Sequence, residues 1–306
     1  MIRKISFLKG AFTPLVVPFQ GGAVDYDRYA ALIEWQIDQG AHGLLVNATS
    51  GEPTTLTSDE KARLIDITVK TSAGRRPVAA GIPAESHAEA VTLLARAEKA
   101  GADAVVSVTP YYARPPQRGL LEFFADLASR TELPFLIYHI PGRAAVSVTA
   151  DTFEAIAERC PNFVGLKNTD DNLALVSRLM SRLGPDFCVF GGLESTAFAM
   201  RAMGGCGTMI TTSNVAPKQI ARLNDLCMAG NFQEAQRLAV ELDEIMLAAS
   251  LDTGPIPIKC MMKLMGLLPK NEHRLPMVPA TPEQEQQLEA VVKRYSLFVK
   301  RTEIPE

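Results

Sequence analysis

Lys167 ends the apolar run Phe163, Val164, Gly165, Leu166, at the point where a strand would hand over to a loop. A lysine partly removed from water is less committed to its ammonium form, and the free amine attacks carbonyl carbon near neutral pH. The position therefore points to Schiff-base chemistry on a carbonyl substrate. A second apolar run, Phe135, Leu136, Ile137, ends in Tyr138 and continues as His139, Ile140, Pro141, Gly142, Arg143. If the two runs are neighbouring strands of one barrel, then an amine, a proton-carrying phenol and an anion-holding guanidinium share one rim. Singly, each has an ordinary explanation: a solvated loop lysine, a core aromatic with its hydroxyl at the wet end, a turn arginine reaching into solvent. Their spacing, one strand-helix unit apart, argues for a site.

The elements that must carry these groups recur with a rhythm. A helix-like segment, then glycine with a small residue, then an apolar run occurs at Gly40 to Gly43, at Gly101 to Asp103 and at Gly204 to Gly207. Glycine just past a helix end supplies the left-handed cap that turns the chain back into a strand. The run at Gly204 to Gly207 is read the same way, because a barrel's phosphate cradle would follow a strand and this one precedes it. The intervals between first glycines, 61 and 103 residues, divide into two and four units of about 26 to 30 residues each. Strands are expected near 12–17, 43–46, 77–81, 104–108, 134–138, 163–167, 187–190 and 207–210. This predicts an α/β fold, a (β/α)8 TIM barrel over 1–230, with a small all-helical C-terminal domain over 231–306. Helices are expected there at 231–250, 257–266 and 282–299, with Pro269, Pro276, Pro279 and Pro282 punctuating the connections.

Composition narrows the function classes. The 306 residues are 47% hydrophobic and 21% charged, enough for a large core. Lys and Arg total 31 against 34 for Asp and Glu, a net charge of −3, and no basic stretch stands out, so a nucleic-acid partner is not expected. No window approaches the ~18 uncharged apolar residues of a membrane span. Arg3 and Lys4 resemble the start of a signal peptide, but Lys9, Pro14 and Pro18 interrupt the apolar stretch. Cys160, Cys188, Cys206, Cys227 and Cys260 are odd in number and far apart, which suits free thiols in a reducing, cytoplasmic setting. His42, His87, His139 and His273 fall in no metal-binding spacing, so no metal is expected.

In a barrel of this kind functional groups gather at the C-terminal strand ends. Those ends carry Asn47 to Glu52 after strand two, Thr109 to Tyr112 after strand four, Tyr138 on strand five, Lys167 on strand six, and Gly191 and Gly192 after strand seven. The hydroxyls of Thr49 and Ser50, if they do not merely cap a turn, would suit the carboxylate of a small 2-oxo acid facing Lys167.

Over nearly the whole chain, from Ala11 to Pro276, these residues resemble the pyruvate-dependent lyases that include dihydrodipicolinate synthase and N-acetylneuraminate lyase. Thr49, Ser50, Gly51, Glu52 looks like that family's GTTGE element, and Val108, Thr109, Pro110, Tyr111, Tyr112 with Arg114 and Pro115 looks like its VTPYYxRP element. Tyr138 to Arg143 and Gly165, Leu166, Lys167 complete the set. The resemblance implies an imine between Lys167 and pyruvate, with no other cofactor, and proton transfer by Tyr138 through Thr49 to Tyr112, the last crossing from a neighbouring subunit. It implies that Thr49 and Ser50 hold the pyruvate carboxylate, that Gly192 and the backbone of Met209 line its pocket, and that Arg143 binds the carboxylate of aspartate semialdehyde. It also implies a homo-oligomer, commonly a dimer of dimers.

Several positions depart from the pattern. Ala48 stands for the first glycine of GTTGE and Ser50 for its second threonine. Asn168 stands where an acidic residue is usual and His139 where asparagine is common. These leave a second substrate class open, a 2-oxo-3-deoxy sugar acid or other 2-oxo acid, as well as a non-catalytic paralogue that binds a small oxo acid. At the bacterial synthases' feedback site for lysine, Pro53, Ser58, Lys61, Pro83 and Glu85 replace the usual side chains, although Glu89 and Tyr111 remain, so lysine inhibition is not expected.

Overall fold

The computed structural model describes residues 5–83 and 86–299. Eight parallel strands close into a barrel in sequence order: β1 (Gly10–Pro14), β2 (Gly43–Val46), β3 (Val78–Ile82), β4 (Ala104–Val108), β5 (Phe135–His139), β6 (Phe163–Asn168), β7 (Cys188–Gly191) and β8 (Gly207–Thr208), with β8 pairing back onto β1. The helix-glycine-strand rhythm holds, because Gly40, Gly101 and Gly204 all take the positive φ (90°, 86° and 100°) that reverses the chain after a helix. The first strand starts and ends earlier than expected. A short hairpin, Phe19–Gln20 with Ala23–Val24, follows it and carries too few residues to show as a pattern.

Alternation along the strands separates two apolar layers. Leu45, Ala79, Ala104, Val106, Leu136 and Val164 point into the barrel with Phe190 and Met209. Val46, Ala80, Val105, Phe135, Ile137 and Leu166 point outward to the surrounding helices. Strand β6 breaks strict alternation. Phe163 pairs with Phe135, but the next residue of β5, Leu136, pairs with Gly165, so β6 carries one extra residue. From Phe163, an outward residue, simple alternation would turn Lys167 toward the helices. The extra residue shifts the count, so that Leu166 faces outward and Lys167 faces the barrel axis beside its partner Tyr138. Glycine permits this at Gly165, where a Cβ would sit only 2.7 Å from that of Cys188.

The segment expected as one helix over 231–250 forms two, Phe232–Glu241 and Asp243–Ala249, followed by helices Ile256–Met265 and Pro282–Arg294. The last begins with Pro282 at its first turn and a reciprocal cap between Thr281 and Gln284. These helices share an apolar cluster with Leu32, Trp35, Val215, Ile220 and Leu223 of the barrel's outer layer. The connections between them reach over the C-terminal rim of the strands, where Gly254, Pro255 and Met277 help to wall a cavity.

Candidate active site

Lys167 is 3% exposed, and its Nζ stands 4.0 Å from the ring centroid of Tyr138. Tyr138 is fixed from two sides. Its hydroxyl lies 3.1 Å from Thr49 Oγ1, and its carbonyl accepts from both the N–H and the hydroxyl of Thr109, at 3.0 and 2.9 Å. Sequence reading gives Thr109 only as part of a motif. Burial alone would push the Tyr138 phenol up; the charge of Lys167 and hydrogen bonds with Thr49 and Lys167 outweigh it, and the phenol ends below its ordinary value. A phenol so placed can take and return protons. Gly192 lies alongside the lysine stem: a Cβ there would stand 3.1 Å from Lys167 Cε and collide with Thr169. Its N–H donates to Asn168 O, and Met209 donates its own to Gly191 O, each at 2.8 Å.

The turn after β2 is wound tightly. Asn47 takes a left-handed φ of 57°, Thr49–Gly51 form one turn of 3-10 helix, and Glu52 takes a φ of 52°. The kink brings the carbonyls of Val46 and Asn47 within 2.7 Å of where a Cβ on Gly81 would stand, so β3 needs glycine there. Thr49 is turned toward Tyr138, whereas Ser50 is 1% exposed inside the turn. Glu52, which also lines the cavity described below, anchors the turn. Its buried Oε1 accepts from Lys259 Nζ at 2.8 Å and lies 3.0 Å from His273 Nδ1, two residues of the C-terminal helical region that sequence reasoning did not connect to the site. Burial pushes the Glu52 carboxyl up, but the His273 and Lys259 contacts overcome it and hold it below the usual carboxylate range.

Thr49, Tyr138 and Arg143 all line one cavity of about 220 Å³, with Ala48, Val106, Val108 and Ile140 as apolar wall and Gly254, Pro255 and Met277 at the rim. Arg143 lies on the short helix Pro141–Ala144 at the mouth and donates to Gly254 O at 3.3 Å. Lys167, Ser50, Gly192 and Met209 do not form its wall; Met209 packs in the same buried cluster as Ala48 and Tyr138. The expected relay residue Tyr112 is not brought in within one chain. It is 95% exposed, on a left-handed backbone of φ 68°. Asn168 and His139, two of the departures, are both fully buried and bond to each other at 2.9 Å, away from the cavity wall. They therefore do not bear on substrate choice by direct contact. Among the described residues no group of three or more His, Cys, Asp or Glu could hold a metal, and no helix is long and apolar enough to cross a membrane.

Residues 7–295 match the Dihydrodipicolinate synthetase family. The chain belongs to that family. Two relatives, both called 4-hydroxy-tetrahydrodipicolinate synthase, span it almost entirely. That of Thermus thermophilus is 40% identical over 96% of this chain and 99% of its own length. That of Nitratidesulfovibrio vulgaris is 39% identical over 93% and 97%. Among solved structures, dihydrodipicolinate synthase from Aquifex aeolicus superposes with a TM-score of 0.93 at 36% identity, covering 96% of this chain and all of the other. A family member described as a monomeric dihydrodipicolinate synthase variant superposes with 0.92 at 34% identity, over 96% and 98%. Family membership accounts for the barrel.

Proposed function

We propose that this chain is a 4-hydroxy-tetrahydrodipicolinate synthase that condenses pyruvate with L-aspartate 4-semialdehyde through an imine on Lys167. One observation carries the chemistry: a buried lysine with no carboxylate contact among the described residues, packed on a phenol that is hydrogen-bonded to Thr49, beneath a cavity with Arg143 at its mouth. The Lys167 amine adds to the pyruvate carbonyl carbon, and water leaves to give the imine. Loss of a proton from the methyl carbon gives an enamine, whose carbon attacks the aldehyde while a proton reaches the new alkoxide. Tyr138 carries these protons, with Thr49 as its neighbour. The turn at Thr49 and Ser50, with Gly192 and the Met209 backbone, receives the pyruvate end; Arg143 receives the carboxylate of the semialdehyde. The imine itself is the electron sink, so no further cofactor takes part.

Tyr112 completes the relay from a second copy. Its ring is held out in solvent on a left-handed backbone, which suits a residue that inserts into a neighbour's site. The working form is accordingly a homo-oligomer, at least a dimer and as a dimer of dimers a tetramer, in the cytoplasm. The five free cysteines are consistent with that compartment.

The test is borohydride reduction in the presence of pyruvate, read by mass spectrometry on Lys167, beside a coupled assay with the semialdehyde. An adduct on Lys167 and turnover are expected. An adduct without turnover would reject the aldehyde; retro-aldol release of pyruvate from a 2-oxo-3-deoxy sugar acid would then favour the second substrate class, which Ala48 and Ser50 motivate. Absence of an adduct would reject the imine.

A further inference from the structure

His139 and Asn168 stand one residue beyond Tyr138 and Lys167 and face each other across β5 and β6 as those two do. Alternation turns them out of the barrel, where both are 0% exposed and the His139 ring meets Phe153 edge-on at 5.8 Å. Nδ1 of His139 lies 2.9 Å from Asn168 Oδ1, and Nε2 receives the N–H of Val148 at 3.3 Å. A backbone N–H can only donate, so Nε2 is the acceptor and Nδ1 carries the proton that Asn168 Oδ1 accepts. Asn168 Nδ2 donates in turn to Asp170 O at 3.0 Å.

One imidazole thus holds both ends of a loop: the chain leaves β5 at His139 and is bonded back to the same ring at Val148. Inside this loop lies the helix Pro141–Ala144 with Arg143. Just beyond it Ala145, at a left-handed φ of 55°, gives its carbonyl to Arg114 Nε at 3.0 Å, so the loop also braces the segment that bears Tyr112.

We infer that His139, held in one tautomer by Asn168, is a positioning residue that fixes the Arg143 loop over the ends of β5 and β6. The inference rests on the synthase reading and deepens it. What is positioned is the guanidinium for the second substrate, not the amine for pyruvate. The two departures from the family pattern are then one exchange, a neutral hydrogen-bonded pair in a place where an acid and an amide are usual.

Protonation of Nε2 would set a donor against the Val148 donor and release the loop. Burial holds the imidazole below its ordinary range, while the Asn168 bond and Asp170, the charged side chain that faces it, work the other way. An acid limb in semialdehyde binding is therefore expected below the usual histidine range.

The test measures KM for each substrate across pH in the full-length chain and in His139→Gln and His139→Phe. Phenylalanine removes both bonds and should raise the semialdehyde KM about tenfold or more, since two buried polar groups lose their partner, with pyruvate trapping on Lys167 at the wild-type rate. Glutamine offers an oxygen near the place of Nε2 but cannot be protonated. It should stay close to wild type and lose the acid limb. Equal changes in both KM values for His139→Phe, no change in either, or an acid limb that persists in His139→Gln would each overturn the inference. If the phenylalanine variant does not fold, the glutamine pH profile decides. Failure of the wild type to form the pyruvate adduct would instead count against the synthase reading, so the two failures are separable.

Discussion

Two lysines of this chain are buried to nearly the same degree and meet opposite surroundings. Lys259, 0% exposed, lies 2.8 Å from the Glu52 carboxylate, also donates to Glu272 O, and has its Nζ 4.4 Å from the Phe19 ring centroid. Lys167, 3% exposed, has the Tyr138 ring at 4.0 Å and no carboxylate contact among the described residues. Both amines stand over an aromatic face, so the ring does not distinguish them. The carboxylate does. An ammonium with a buried carboxylate partner is committed to an ion pair, and removing either partner strands the other in a poorly solvated place. Lys167 has no such partner among the described residues, which suits the covalent role proposed for it. The pair separates a lysine bound into an ion pair from the lysine proposed to form the imine.

The sharpest way to break this comparison is to remove each amine in turn. Lys167→Met should abolish the pyruvate adduct and lower turnover on the order of 10⁴-fold or more, as loss of a nucleophile does, while the thermal midpoint stays or rises because no carboxylate is stranded. Lys259→Met should do the reverse to stability, costing about 3 to 5 kcal/mol in denaturant unfolding, because Glu52 loses its cation inside the fold. Loss of stability in the first variant, or none in the second, would erase the distinction.

A smaller effect should follow in acid. Burial acts on both partners, holding the Lys259 amine below its ordinary range and pushing Glu52 up; the short contact and the second donor, His273, decide for the ion pair, and Glu52 ends below the usual carboxylate range. A carboxyl whose folded value is depressed adds stability that is fully present above its unfolded value, about 4.3, and is lost as pH falls through the folded value. In Lys259→Met the burial contribution remains, and of the two groups that offset it, His273 and Lys259, only His273 is left. The acid unfolding transition should therefore move to higher pH, as followed by circular dichroism. An unmoved transition would mean that His273 alone secures Glu52.

The difference between the two lysines also marks how far the sequence could be read. Lys167 was legible because its neighbours are local: an apolar run before it, a barrel rhythm around it, and Tyr138 one unit upstream. The side toward which it points was not, since strict alternation from Phe163 gives the wrong face and only the extra residue at the start of β6 corrects it. Lys259 was not legible at all. Its partner Glu52 is 207 residues away, and the nearest partner of His273 on the barrel is the same Glu52 across 221 residues. No periodicity or spacing joins residues at that separation. Asn168 and His139 stood out as two separate departures, and only the register of β5 and β6 shows them to be one hydrogen-bonded pair. Glu85, one of the departures on which the expectation of no lysine inhibition rests, lies outside the described residues.

A third lysine extends the comparison and gives the smallest expected effect, none. Lys61, with a side chain 9% exposed, is paired with Glu89 at 2.9 Å and approaches Pro83 O at 3.4 Å, and Ser58 Oγ donates to the same Glu89 oxygen at 2.8 Å. Lys61, Pro83 and Ser58 are among the positions at which the sequence departs from the bacterial synthases' lysine feedback site. In this chain an internal ammonium already answers the Glu89 carboxylate. An incoming ammonium would have to displace a tethered one, whose effective concentration is in the millimolar range or above. Saturating L-lysine should therefore leave turnover unchanged and give no heat in titration calorimetry. Lys61→Ala, which withdraws the tethered cation from Glu89, should be the variant in which lysine binding first becomes measurable. Inhibition of the wild type by lysine would show that Lys61, unlike Lys259, is not committed to its carboxylate.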